Sequence, residues 1–395
     1  MKRIPVFLSF CIALFSFTSV FSRSLDETAA MILNESPAYK INQKSLATSE
    51  AELMPGANLP DPELAGEFLA APPDESNRWA AELSWSLEWP GVYNARKEQI
   101  ALQKNALSAA LDATAFEQLT EIKSLLLQYI LQQQKIDIID RLALANDSIY
   151  QFAQNARKGG ELTVLDINKI KLENANLRAS RAALTDELGS TISGLSEIYG
   201  GDCYELLTQM DCHFPDIVFP EEDNIDRLAA ESSAVKAAQK ESEAIRAGDK
   251  IARMENLPGI SFGYKHAYED GIHFNGATLG ITLPIFSGKH KRQAIKIAAE
   301  EADYKAEAAA RSARTELAVG FKRLKIMKEQ IAEVEPLIFS SDNHATLLKA
   351  YESGLITLLD YLTERNYFTT ATIQFIELKY AAAQVALDLQ KYYRQ

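Results

Sequence analysis

Two landmarks recur in this chain at one offset. Pro90 and Pro284 lie about 194 residues apart, and so do Gly160 and Gly354. Each Pro follows an alternating stretch and precedes a small turn and a basic run: AELSWSLEWPGVYNARKEQ at 81–99 and ATLGITLPIFSGKHKRQ at 277–293. Each Gly is followed by an aliphatic-Thr-aliphatic-Leu-Asp run, within ARKGGELTVLDIN at 156–168 and AYESGLITLLDYLT at 350–363. Two landmarks sharing one offset point to an internal duplication. The copies span 23–215 and 216–395, after a leader at 1–22.

From Pro to Gly each copy runs about 70 residues with helical character. Leu324, Met327, Ile331, Val334, Ile338, Ser341, Ala345 and Leu348 are spaced three and four apart, a heptad seam. In the first copy Leu119, Ile122, Leu126 and Tyr129, then Leu142, Ala145, Ile149 and Phe152, form a seam that Gln132 to Gln134 interrupt. Pro336 is expected to kink or break the second helix. A helix of that length, about 105 Å at ~1.5 Å per residue, needs partner helices all along it, because propensity alone does not hold it. At Gly159-Gly160 and Ser353-Gly354 the chain is expected to reverse, since Gly adopts the left-handed conformation cheaply. Second helices then follow, at about 164–199 and 358–393. The products are two tall helical hairpins with tips near Gly160 and Gly354.

The other end of each long helix reads as β. Leu83, Trp85, Leu87 and Trp89 alternate with Ser84, Ser86 and Glu88, and Leu64, Gly66 and Phe68 with Glu63, Ala65 and Glu67. The second copy repeats this with Ile260, Phe262, Tyr264 and Tyr268, a loop at 269–271, then Ala277, Leu279, Ile281 and Leu283. The strand pairs fall at about 61–90 and 258–286. Strands of about ten residues suit a tilted membrane crossing. Trp79, Trp89, Tyr264 and Tyr268 suit interfacial aromatic girdles. Four strands cannot close a barrel, for which about eight is the practical minimum. Three chains supply twelve strands and an open lumen, whereas two supply eight around a filled one. The fold class expected is therefore mainly α with β: a strand–strand–long-helix unit used twice, in a trimeric 12-strand barrel continued by an α-helical tunnel.

The N-terminus sets the compartment. Lys2 and Arg3 precede an apolar stretch from Ile4 to Val20, and Ser22 marks a cleavage position, the pattern of a secretory signal peptide. Cys11 leaves with it. Cys203 and Cys212 remain, and an oxidising compartment favours a disulfide between them over two free thiols. Loss of Lys2 and Arg3 takes the formal charge from −13 to −15. That balance argues against nucleic acid as a partner, which wants a basic face. In a lumen it favours cations.

Taken together these features resemble the TolC-like outer-membrane efflux channel family. The likeness is carried by Leu59-Pro60-Asp61-Pro62-Glu63-Leu64 at the entry to the first strand. It is carried also by residues 280–288, GITLPIFSG, at the strand-to-helix junction, and by Tyr351-Glu352-Ser353-Gly354 with Leu358-Leu359-Asp360. The resemblance implies a homotrimer in the outer membrane with a periplasmic extension. It implies a passive export duct serving a tripartite efflux or type I secretion system, docked to a periplasmic adaptor and an inner-membrane pump. It further implies a tip closed by an acidic ring and latching contacts. Asp360 matches the ring, Thr363 stands where a second acid is expected, and Glu364 is adjacent. Asp166 and Tyr351 match the latch, while Ile356 replaces a basic latch residue.

Chemistry of other kinds is not expected. His213, His266, His273, His290 and His344 are scattered, with no metal-ligand spacing. No phosphate-binding Gly loop occurs. No enzyme activity, cofactor or metal site is expected, so the energy for transport comes from a partner. The competing reading is a periplasmic coiled-coil scaffold without a pore, which explains the heptads and leaves the alternating strands unexplained.

Overall fold

The computed structural model describes residues 23–73, 77–159, 162–216, 224–284, 288–339 and 343–392. Ten helices are described: α1 (Leu25–Glu35), α2 (Pro37–Leu53), α3 (Pro90–Lys158), α4 (Val164–Tyr199), α5 (Tyr204–Thr208), α6 (Ile225–Glu231), α7 (Ser233–Met254), α8 (Gly288–Phe339), α9 (Asn343–Glu352) and α10 (Leu358–Gln390). Four strands complete the set: β1 (Glu63–Leu69), β2 (Arg78–Leu87), β3 (Gly259–Glu269) and β4 (Ile272–Thr282). The order strand, strand, long helix, hairpin partner occurs twice.

Helix α3 runs 69 residues, about 100 Å at ~1.5 Å per residue. Its body contains neither Gly nor Pro after Gly91, so nothing breaks the ladder. Pro90 opens it, where a missing amide hydrogen costs nothing. Its first half lies on α7 and its second half on α4. Helix α8 continues through Pro336 to Phe339, and Pro336 falls within its last turn. Ser341 and Gly160 lie outside the described residues. Gly354 takes φ +72 and ends α9, the left-handed cap that Gly permits.

The cores are strung along the rod. Ile122, Leu126 and Ile130 of α3 are fully buried with Leu25, Ile32, Leu195, Cys203 and Leu207 at mid-height. There the glutamine interruption has its reason. Gln134 donates to the carbonyl of Cys212 at 2.8 Å, so this part of α3 faces the link between copies. A second core joins α8 to α10 through Leu317, Leu324 and Leu389. The α3–α4 hairpin carries Ile139, Leu142 and Leu177. No described helix is long and apolar enough to cross a membrane.

All four strands form one antiparallel sheet in the order β1-β2-β3-β4. Residues Asp270 and Gly271, both at positive φ, close the β3–β4 hairpin as a two-residue turn with Glu269 opposite Ile272. Strand β2 stops at Leu87, and Trp89 is the N-cap of α3 rather than a strand residue. Opposite the turns, Leu87, Gly259 and Thr282 lead from or into helices. The turns therefore lie at the end of the sheet farthest from the rod.

Candidate functional site

Two regions carry functional geometry, the faces of the sheet and the hairpin tips. The sheet register sorts most side chains by face, with Leu69, Ile272 and Phe274 the apolar exceptions on the polar face near the turns. One cross-strand row reads Leu64, Leu83, Tyr264, Ala277, and the next reads Glu63, Ser84, Gly263, Thr278. The apolar face is open to the outside: Leu64, Leu279 and Ile281 are 76%, 80% and 68% exposed. An apolar surface this large on one chain marks a membrane or partner interface. On the polar face Arg78 pairs with Glu269 at 2.9 Å, and Thr278 donates to Glu82 at 3.0 Å. Glu63, Glu67, Glu82 and Glu269 outnumber Arg78 and Lys265 there. Where sheet meets rod, an ionic collar fastens three helices. Arg96 joins Glu88 and Glu255 at 2.7 and 3.0 Å, and Glu255 also pairs with Lys291.

At the other end, the starts of α4 and α10 are built alike. Thr163 and Asp166 form a reciprocal capping box, as do Thr357 and Asp360. The Thr hydroxyl reaches the Asp carboxylate at 2.6 Å in both. The carboxylate also accepts the Thr amide, at 3.0 and 3.1 Å. This satisfies amides that a helix start leaves unpaired. The T-x-x-D spacing occurs at the same offset as the Pro and Gly landmarks. It is a signal in the sequence that a search for gating charges passes over. Both aspartates are held below the usual carboxylate range, first by the Thr hydroxyl and then by the Thr amide. A lowered native pKa supports folding above the ordinary value, and that support is lost progressively as pH falls from there through the lowered native value. Hydrogen-exchange protection at residues 164–167 and 358–361 is expected to drop as pH falls below about 4, before that of the mid-height core.

The tips are brought together within one chain. Ile149, Ile167 and Ile170 of the first hairpin bury against Leu358, Tyr361 and Leu362 of the second, with Tyr351 and Ile356 at the edge. Tyr351 meets Phe152 edge-on at 5.7 Å and Tyr361 at 5.4 Å. Burial pushes the Tyr351 phenol up, and the nearby charge of Asp166 adds to this. Asp166 and Tyr351 are thus neighbours across the two hairpins. Ile356, at the position of the expected basic latch residue, packs in the apolar cluster. Glu364 is exposed, and the Thr363 hydroxyl is turned back to the Leu359 carbonyl at 2.8 Å.

A residue absent from the sequence reading lies just above. Arg365 of α10 is 1% exposed. It donates to Asn146 of α3 at 2.9 Å and to Glu173 of α4 at 3.3 Å. Its guanidinium lies 5.7 Å from the Tyr361 ring centre. Asn146 in turn donates to Asn174 at 2.8 Å. Three helices from both copies thus meet on one buried cation.

The expected disulfide is not formed; Cys203 and Cys212 are free thiols. Each sulfur has a local partner instead. Cys203 lies 3.3 Å from the Ser196 hydroxyl, and Cys212 points to the Met210 carbonyl at 3.8 Å.

The outer membrane efflux protein family model matches residues 224–393. Over this segment the chain is similar to outer membrane efflux proteins. It holds α6 to α10 with β3 and β4, the second strand pair and second hairpin. No curated protein sequence matches the chain. Among solved structures the chain is similar to CusC at 15% identity and TM-score 0.78, over 93% of this chain and 91% of that one. It is similar to the outer membrane protein VceC of Vibrio cholerae, at 15% identity and TM-score 0.72 over 93% and 95%. It is also similar to the open state of the MtrE outer membrane channel of Neisseria gonorrhoeae, at 14% identity and TM-score 0.75 over 93% and 88%. These likenesses establish the fold over 93% of the chain, well beyond the segment that the family model matches. The motifs at 280–288 and 351–360, which carried the TolC-like resemblance, lie within the matched segment, and the solved structures share the fold of the whole chain, strands included.

Proposed function

We propose that the chain is one subunit of a homotrimeric outer-membrane duct. In this reading it is a passive export channel for a tripartite efflux or type I secretion system, with a periplasmic adaptor and an inner-membrane pump as partners. The observation that carries it is the two-faced sheet with unpaired outer edges at β1 and β4. Four strands cannot close, and lipid does not tolerate an open edge. Three copies supply twelve strands, with the apolar rows against lipid and the acidic rows on the lumen. The duplication read from the landmarks accords with the repeated order of elements. The hairpin tips form the gate, with Asp166, Tyr351 and Asp360 at it.

Planar-bilayer recordings of purified protein are expected to show cation-preferring conductance, because the lumenal rows are net acidic. Asp360→Ala is expected to raise conductance. Thr357→Val removes the capping partner and leaves the charge. If both variants behave alike, Asp360 acts through its cap; if only Asp360→Ala raises conductance, the carboxylate itself narrows the gate. A protein that is monomeric and water-soluble without detergent overturns the duct.

A further inference from the structure

The five histidines are scattered in sequence, yet the β3–β4 hairpin brings two of them together at its turn end. Tyr268 pairs with His273 and His266 with Asn275, two rows apart, so both histidines lie on the apolar face. Their ring centres are 5.3 Å apart, and Nδ1 of His273 lies 3.4 Å from Nε2 of His266. The first reading of such a group is an interfacial aromatic girdle: Trp79 stands 5.2 Å from His266, and Tyr268 stands 5.0 Å from His273. A girdle asks only for amphipathic rings. It does not ask for a fixed tautomer.

Here a side-chain contact orients one ring and favours one tautomer. Nδ1 of His266 lies 2.6 Å from Oδ1 of Asn275, which also accepts the Tyr264 hydroxyl at 2.7 Å. In the neutral ring, an oxygen receiving both groups favours the proton on Nδ1 and the lone pair on Nε2. An amide oxygen or carboxylate on the far nitrogen is the usual support of a metal-bound histidine. The spacing fits as well. Two nitrogens bound to one tetrahedral zinc at ~2.0–2.1 Å stand about 3.3–3.4 Å apart, and the observed separation is 3.4 Å.

We propose that His266 and His273 form a two-histidine site for a divalent borderline metal ion, zinc or copper(II), on the outward face of the barrel rim. Imidazole nitrogen suits both ions. Among the described residues no group of three or more His, Cys, Asp or Glu side chains gathers for a metal, so solvent completes the coordination. The site lies at the turn end, far from the helical rod, and a trimer carries one per subunit. Binding displaces the proton now shared between the two rings.

The test uses the tag-free full chain in detergent. Zinc is titrated calorimetrically, and copper(II) is followed by quenching of Trp79, the tryptophan beside His266. Saturable binding of one ion per chain is expected. His266→Ala or His273→Ala is expected to weaken it at least tenfold, and Asn275→Ala by about ten- to a hundredfold as a lost orienting contact. Trimer migration on a gel confirms that each variant is folded. No saturable binding by the unaltered chain up to millimolar metal, or an unchanged titration in the double His variant, overturns the site.

Discussion

Arg365→Met is expected to loosen the hairpin tips and raise the open fraction of the channel. The side chain is buried and bridges α10 to Asn146 of α3 and Glu173 of α4. Methionine keeps the apolar stem and removes the fork. Asn146, fully buried, then loses one partner, and Glu173 loses its cation. Removing one member of a buried ionic set costs on the order of 3 kcal/mol. Each 1.4 kcal/mol is tenfold, so the parted-tip population rises about a hundredfold. Two measurements read this. Open-state dwell time in bilayers increases, and trypsin cleaves faster after Arg157 and Lys158, in the last turn of α3. Arg365→Lys keeps the charge but cannot reach both partners as a planar fork; it is expected to fall between the two. If Arg365→Met gates and cleaves like the unaltered chain, the hairpins are held by their apolar contacts alone.

Nothing local in the sequence marks Arg365 as buried. A single cation within LLDYLTERNYF reads as a solvated helix face, and its burial depends on α3 and α4 arriving from the other copy. Asp166 and Asp360 were legible as special, because both stand at the shared offset. Their capping role was legible too, in the T-x-x-D spacing, although a search for gate charges overlooks it. The strands were legible because the period-2 alternation is a property of the chain itself. Their register needed one more inference. The run Glu269-Asp270-Gly271 marks only a loop in the sequence, yet Asp270-Gly271 as a two-residue turn sets Tyr268 against His273 and brings the histidines together. The cysteines show the limit of arguing from compartment. Proximity in sequence allows a disulfide, but each sulfur faces a local partner.

Gly263→Val is expected to abolish assembly of the barrel. Gly263 sits in the middle of β3, between Ser84 and Thr278. A Cβ built there meets the Thr278 hydroxyl at 2.7 Å, the Leu83 carbonyl at 2.8 Å and the Ser84 Cα at 3.2 Å. Two of those atoms are backbone in a strand paired on both sides, so they cannot swing aside as a side-chain end would. Overpacking of a tight site costs about 1–3 kcal/mol in a single chain, and in a closed trimer the strain is repeated three times around the ring. The expected readout is loss of the heat-modifiable trimer band and of bilayer conductance. Gly276→Val is the matched control. It lies on β4, on the same face of the sheet as Gly263 and opposite Lys265, and a Cβ there meets nothing within 4 Å. Valine also favours strands over glycine, so Gly276→Val is expected to assemble as well as the unaltered chain or better. If both variants assemble, the β2–β3 register is not the one described. If both fail, the cost lies in losing glycine as such and not in the contact with Leu83 and Ser84.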